Sequence, residues 1–206
     1  MTQRRMMSKV AVCLRVAASF ALVGLAPTSA PAADDSLAQR LAQRLAMCAA
    51  CHGAAGISPL PEVPSLAGQP KQFIATQLVM FREGNRKNEQ MSPLAAELSN
   101  ADINSMAAHF AALPMVPPVA EQDGNKALAG RALAEQLNCV QCHGPTLKGL
   151  QHIPRLAGQH ATYLRTQLRG FKAATRFDMD GNMTSAARAL SEADIELLAD
   201  YLAALR

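Results

Sequence analysis

Two kinds of hydrophobic pattern run along the chain. Val10 to Ala26 is a nearly continuous apolar segment, interrupted by Arg15. Beyond residue 33 the apolar positions recur at helical spacing instead. Leu37, Leu41, Leu45 and Cys48 predict one face of a helix that begins near Asp35 or Ser36, either of which can cap it. A middle helix is expected from about Gln72 to Phe81. A last helix is expected from Ser99 to near Leu113, with Ser99 and Asp102 at the spacing of a capping box. The same three elements return further on. One begins between Asp123 and Asn125 and carries Leu128, Ala132 and Leu137; the next spans about Ala161 to Phe171; the last runs from Ser191 to Leu205. No strand pattern stands out, so the expected class is all-α.

The return of the pattern is a sequence repeat. Cys48-Ala-Ala-Cys51-His52-Gly53 recurs as Cys139-Val-Gln-Cys142-His143-Gly144. Pro64-Ser-Leu-Ala-Gly68-Gln69 recurs as Pro154-Arg-Leu-Ala-Gly158-Gln159, and Thr76-Gln77-Leu78 as Thr166-Gln167-Leu168. Phe81-Arg82 matches Phe171-Lys172, and Leu98-Ser99-Asn-Ala-Asp102-Ile103 matches Leu190-Ser191-Glu-Ala-Asp194-Ile195. Order and spacing both hold, which chance does not explain. The proline-rich stretch Pro114-Met-Val-Pro117-Pro118-Val suits a stiff linker. The expected organisation is an N-terminal segment 1–33, a first domain 34–114, a linker 115–119 and a second domain 120–206.

Composition supports helix: half of the 206 residues are hydrophobic, but only 4% are aromatic and none is Trp. Alanine and leucine supply much of the apolar content, which favours helices over a sandwich or barrel. The formal charge of +4 misleads, because residues 1–33 hold Arg4, Arg5, Lys9 and Arg15 and no acid. Without them 16 basic residues face 16 acidic ones. No basic stripe is visible, which argues against nucleic-acid binding. Arg4, Arg5 and Lys9 ahead of the apolar segment, and Ala30-Pro31-Ala32 after it, read as an export signal cleaved near Ala32/Ala33. In a bacterium that delivers the chain to the periplasm. No later stretch is long and apolar enough to span a bilayer, so no transmembrane anchor is expected after cleavage.

Cys13 leaves with the signal, and four cysteines remain in two pairs, each followed by His. On a helix, positions i, i+3 and i+4 share a face, so both sulfurs and the imidazole of Cys-x-x-Cys-His point the same way. Two thiols at that spacing can form thioethers with the two vinyl groups of a haem, and the adjacent His then reaches the iron axially; this is the attachment pattern of c-type haem. A thioredoxin-like redox pair needs a βαβ setting that is not seen here. A four-cysteine zinc site or structural disulfides would leave the two histidines and the duplication idle. The sequence therefore points to two covalent haem c groups, attached at Cys48, Cys51, Cys139 and Cys142, with His52 and His143 as axial ligands. Helical modules of about 80 residues have thin cores and usually need such a staple.

The sixth ligand must come from the same module. Met91 stands seven residues before Leu98, and Met183 seven before Leu190. Met179 lacks a repeat partner, while Met80 aligns with Gly170 and Met106 with Leu198. Met91 and Met183 are thus the expected ligands, in loops just ahead of the last helices. A neutral thioether favours Fe(II) and raises the potential, and with both axial positions filled the iron passes single electrons and binds no oxygen or peroxide.

On both haem sequences, both Pro-x-Leu-Ala-Gly-Gln loops, both methionines and both Leu-Ser-x-Ala-Asp-Ile helix starts, residues 34–206 resemble the dihaem cytochrome c4 group of class I cytochromes c. The resemblance implies an all-α protein of two tandem cytochrome c-like domains, each wrapped around one covalent haem and related by a pseudo-two-fold, with the haem edges near one another. It implies a periplasmic carrier moving single electrons between respiratory partners, such as a quinol–cytochrome c reductase and a terminal oxidase, with membrane association only peripheral and through a partner. It also implies that the Pro64 and Pro154 carbonyls accept hydrogen bonds from the ligating histidines and fix their orientation. The last helix of such modules presents an aromatic to the first helix. Tyr201 fits this role, with Gly130 permitting close approach. The first module has His109 and Gln39 there, a packing substitution.

The basic residues ahead of the methionines (Arg82, Arg86, Lys87, Lys172 and Arg176) read as solvated surface, with haem propionates or an acidic partner as the other use. His152 and His160 read as ordinary loop residues. Two further functions compete with the free carrier. One is an electron-accepting dihaem subunit of a flavocytochrome-type dehydrogenase complex. The other, a dihaem peroxidase, is disfavoured by a Met in both modules and by the short chain.

Overall fold

A computed structural model of the chain describes residues 33–115 and 124–205. Residues 1–32 of the expected export signal and 116–119 of the expected linker lie outside them. The described residues form helices α1 (Ala33–His52), α2 (Lys71–Arg82), α3 (Met91–Ala96) and α4 (Asn100–Ala112), followed by α5 (Gly124–Gln136), α6 (Cys139–His143), α7 (Ala161–Lys172), α8 (Asn182–Arg188) and α9 (Glu192–Ala204). Among them no strand occurs beyond one isolated bridge, Leu150 to Ile153. The long helices fall close to where the apolar spacing places them, except that α1 is already helical at Ala33, so neither Asp35 nor Ser36 caps it; the last helix of each repeat starts on a complete capping box, Ser99 with Asp102 and Ser191 with Asp194.

Each repeat closes its own core. In the first, α2 packs on α3 and α4, and α1 on α4. Ile74, Leu78, Phe81, Leu98, Ile103, Met106 and Phe110 are buried together, with Leu41, Leu45 and Cys48 laid against them. In the second, α5 and α7 pack on α9 and α8 packs on α7. Leu164, Phe171, Leu190, Ile195, Leu198, Tyr201 and Leu202 fill the equivalent space.

Three features differ from these expectations or go beyond them. The apolar face of α5 is not Leu128, Ala132 and Leu137: Leu128 is 69% exposed and Ala132 is exposed too. Leu128 and Leu137 are nine residues apart, two and a half helical turns, and so lie on opposite sides. The face that packs is Gly130 and Ala134, flanked by Leu133 and Leu137. Second, the first helix is continuous in one repeat and broken in the other. Asn138 takes a left-handed conformation (φ 57°), which asparagine tolerates, and separates α5 from α6. Third, Met91 and Met183 are not in loops; they sit in the first turns of the short helices α3 and α8.

Candidate haem centres and the interface between them

Both Cys-x-x-Cys-His sequences are helical, one ending α1 and the other forming α6. The chain must leave each helix at once to wrap around a ligand, and Gly53 and Gly144 do this at φ +78° and +82°. A Cβ on Gly53 would stand 1.9 Å from the Ile57 carbonyl oxygen, so no other residue fits that turn.

His52 and His143 are buried, at 6% and 5% exposure. Each ring places Nδ1 at 2.8 Å from a proline carbonyl oxygen, Pro64 for His52 and Pro154 for His143. A carbonyl only accepts, so Nδ1 carries the proton and Nε2 keeps its lone pair. Burial lowers the pKa of both imidazoles, against the smaller raising effect of those hydrogen bonds, and keeps the rings neutral. Each ring is thus a fixed, neutral nitrogen donor with its orientation set from behind.

No disulfide joins Cys48, Cys51, Cys139 or Cys142. Cys48 and Cys139 are half-buried against the two cores, and burial pushes both thiols up; Cys51 and Cys142 are exposed. Among the described residues no group of three or more His, Cys, Asp or Glu is placed to hold a metal ion. Met91 packs against the first core and Met183 against the second. The backbone N–H of Met91 donates to Asn88 Oδ1 (2.8 Å), and that of Met183 to Asp178 Oδ2 (3.0 Å). Asn88 and Asp178, matched residues of the repeat, thus hold the turns that carry the two thioethers. Sequence reasoning passed over both.

The residues that build the interface between repeats were also missed, although they lay in the matched loops. Gln69 and Gln159 are both 3% exposed and reach across it reciprocally. Gln159 accepts from the Ser65 N–H and donates to the Ser65 carbonyl, both at 2.9 Å. Gln69 accepts from the Arg155 N–H at 3.0 Å and donates to the Arg155 carbonyl at 2.9 Å. This exchange is what a two-fold relation between the repeats produces. His160 joins it, donating from Nε2 to the Ser58 carbonyl (2.9 Å), so it is not an ordinary loop residue. His152 lies outside this interface, exposed and 3.7 Å from Asp180.

Arg86 and Arg176 are not solvated surface either. Each guanidinium covers the phenylalanine of its own repeat, 4.5 Å from the Phe81 ring centre and 4.4 Å from that of Phe171. Arg86 donates to Gln77 (2.6 Å), and across the interface to Tyr163 and Gln167 (both 3.1 Å). Arg176 donates to Gln167, and to Gln77 at 3.5 Å. Burial pushes Arg176 down to about 10, still cationic at neutral pH, and its Nε has no partner. Arg155, 1% exposed, also has a partnerless Nε, although its Nη2 donates to the Ala67 carbonyl across the interface (2.8 Å). Arg82 and Lys172 instead tie α2 and α7 to the carbonyls of Leu98 and Leu190. Lys87 is exposed, as expected. His109 packs edge-on against Phe110, with ring centres 5.3 Å apart.

The residues fit haem c: in each repeat two thiols and a neutral imidazole with a free nitrogen share one helical segment, and the buried Nε atoms of Arg155 and Arg176 lack an acceptor that a carboxylate would supply. The class this defines is a tandem c-type cytochrome. A family model described as "Cytochrome c" matches residues 127–206, and one described as "Cytochrome C oxidase, cbb3-type, subunit III" matches 33–110. Cytochrome c4 of Pseudomonas aeruginosa is 36% identical over 97% of this chain and 100% of its own length. A protein of Thiomonas intermedia named "Thiosulfate dehydrogenase electron acceptor" is 35% identical over 93% of this chain and 89% of its own. The crystal structure of reduced recombinant cytochrome c4 from Pseudomonas stutzeri superposes with a TM-score of 0.75 at 32% identity, covering 82% of this chain and 98% of that one. The chain belongs to the cytochrome c4 family. It is a dihaem c-type electron carrier, and Cys48/Cys51 and Cys139/Cys142 fit its two covalently attached haem c groups.

Proposed function

We propose that the chain carries single electrons in the periplasm, between a quinol–cytochrome c reductase and a terminal oxidase. The observation that carries this reading is the state of the two histidines, each locked by a proline carbonyl with one nitrogen left to donate. Cys48 and Cys51 would hold the first haem and Cys139 and Cys142 the second, and His52 with Met91, and His143 with Met183, would ligate the two irons. Each haem supplies one reversible Fe(II)/Fe(III) couple. Everything else is done by the chain. The prolines keep the imidazoles from rotating and Asn88 and Asp178 pin the methionine turns; an iron held by both a histidine and a methionine would have no site left for a substrate. Arg86 and Arg176, both half-buried, would supply positive charge for the haem carboxylates. The glutamine exchange holds two such centres in one body, so an electron received at one module can leave from the other.

Export through the N-terminal segment, with domains 34–114 and 120–206 joined by the linker 115–119, completes the proposal. Among the described residues no helix is long and apolar enough to cross a membrane. The named relative from Thiomonas supports a second reading, in which the chain is the electron-accepting subunit of a dehydrogenase. Stopped-flow oxidation of the reduced holoprotein by oxidase-containing membranes tests the first reading. Isolation from periplasm at fixed stoichiometry with a dehydrogenase, and no reaction with the membranes, would favour the second.

A further inference from the structure

The interface glutamines do more than join the repeats. Their partners, Ser65 and Arg155, directly follow the prolines whose carbonyls hold His52 and His143. The Pro64–Ser65 peptide therefore accepts from His52 Nδ1 at its oxygen (2.8 Å) and donates from its nitrogen to Gln159 Oε1 (2.9 Å). The Pro154–Arg155 peptide does the same between His143 Nδ1 (2.8 Å) and Gln69 Oε1 (3.0 Å). Ser65, Arg155 and both glutamines are at most 3% exposed, so water does not compete for these bonds. Hydrogen bonds in a chain polarise one another, most of all in a low-dielectric interior. An acceptor on the peptide N–H draws charge onto the peptide oxygen and strengthens it as an acceptor. The imidazole behind it becomes more electron-rich, and a more basic ligand favours Fe(III).

We propose that the two potentials are set crosswise: Gln159 of the second module lowers the potential of the first centre, and Gln69 of the first module lowers that of the second. Both are positioning residues acting through a peptide group of the other module. The proposal rests on His52 and His143 being the iron ligands.

The test is a redox titration of the full-length holoprotein and of Q159L and Q69L by NMR. Haem-methyl resonances are assigned to each centre through contacts with Cys51 or Cys142. In Q159L the reduction equilibrium of the first centre should shift at least threefold towards Fe(II), about 28 mV for one electron, with the second moving less than half as much. Q69L should give the mirror image. Q159N and Q69N, which withdraw the acceptor but keep an amide, should shift the same centres in the same direction and serve if the leucine variants do not load haem. A shift confined to the variant's own module, equal shifts at both centres, no shift, or a fall in potential would overturn the proposal. Failure of the ligand reading is visible separately, as missing hyperfine-shifted imidazole protons in the unaltered protein.

Discussion

Gly130 faces Tyr201 so closely that a Cβ added to the glycine would stand 2.4 Å from the tyrosine's own Cβ. The α5–α9 crossing is therefore set by the absence of a side chain at one position. Overpacking of such a contact typically costs about 1–3 kcal/mol, so G130A should destabilise the second repeat by that amount in denaturant unfolding of the holoprotein. The aligned residue of the first repeat, Gln39, is exposed. Q39A should leave stability unchanged within about 0.5 kcal/mol, and an equal loss in both variants would contradict the packing argument.

The capping boxes carry a pH dependence. Asp102 accepts from the Ser99 hydroxyl (2.6 Å) and the Ser99 N–H (3.0 Å), and the hydroxyl bond above all holds its carboxyl below the ordinary value near 3.8. Asp194 is lowered in the same way by Ser191. A carboxylate depressed in the folded state stabilises it fully above the ordinary value, and the contribution is lost as pH falls through the folded value. D102N should therefore flatten the acid limb of the stability profile while leaving its slope near pH 7 alone. S99A should cost about 1 kcal/mol at neutral pH, and S191A should lose stability in the same direction, both read by thermal unfolding.

Met91 and Met183 should be separable by substitution. M91A removes one thioether, so one of the two reduction steps should fall by more than tenfold in its equilibrium, about 60 mV for one electron, and that centre should begin to bind cyanide. M183A should do the same to the other step. Optical titration with and without cyanide reads both effects. If M91A leaves the spectrum and both steps unchanged, another residue holds the sixth position.

What the sequence made legible was local or repeated. Cys-x-x-Cys-His carries its geometry in the helical period, Ser-x-x-Asp marks helix starts, and the matched methionines were found by alignment of the repeat. Gly130 and Tyr201 were legible as a close pair because the family resemblance supplied the contact. Gln69 and Gln159 were visible as matched residues, but nothing local says that each bonds the opposite repeat. Arg86 and Arg176 read as surface charge because their partial burial depends on that same closure, with Tyr163 and Gln167 across the interface from Arg86 and Gln77 across it from Arg176. Leu128 was misplaced by joining it to Leu137, a spacing that puts the two on opposite faces of α5. Asn138 hid the helix break, since asparagine is compatible with helix as well as with the left-handed turn it adopts.

An optical redox titration of the mature holoprotein tests most directly whether the chain holds two equivalent His/Met centres. It should resolve two one-electron steps, both at positive potential. A step far on the negative side would mean that Met91 or Met183 is not bound, and the reading of the chain as a two-centre electron carrier would fail.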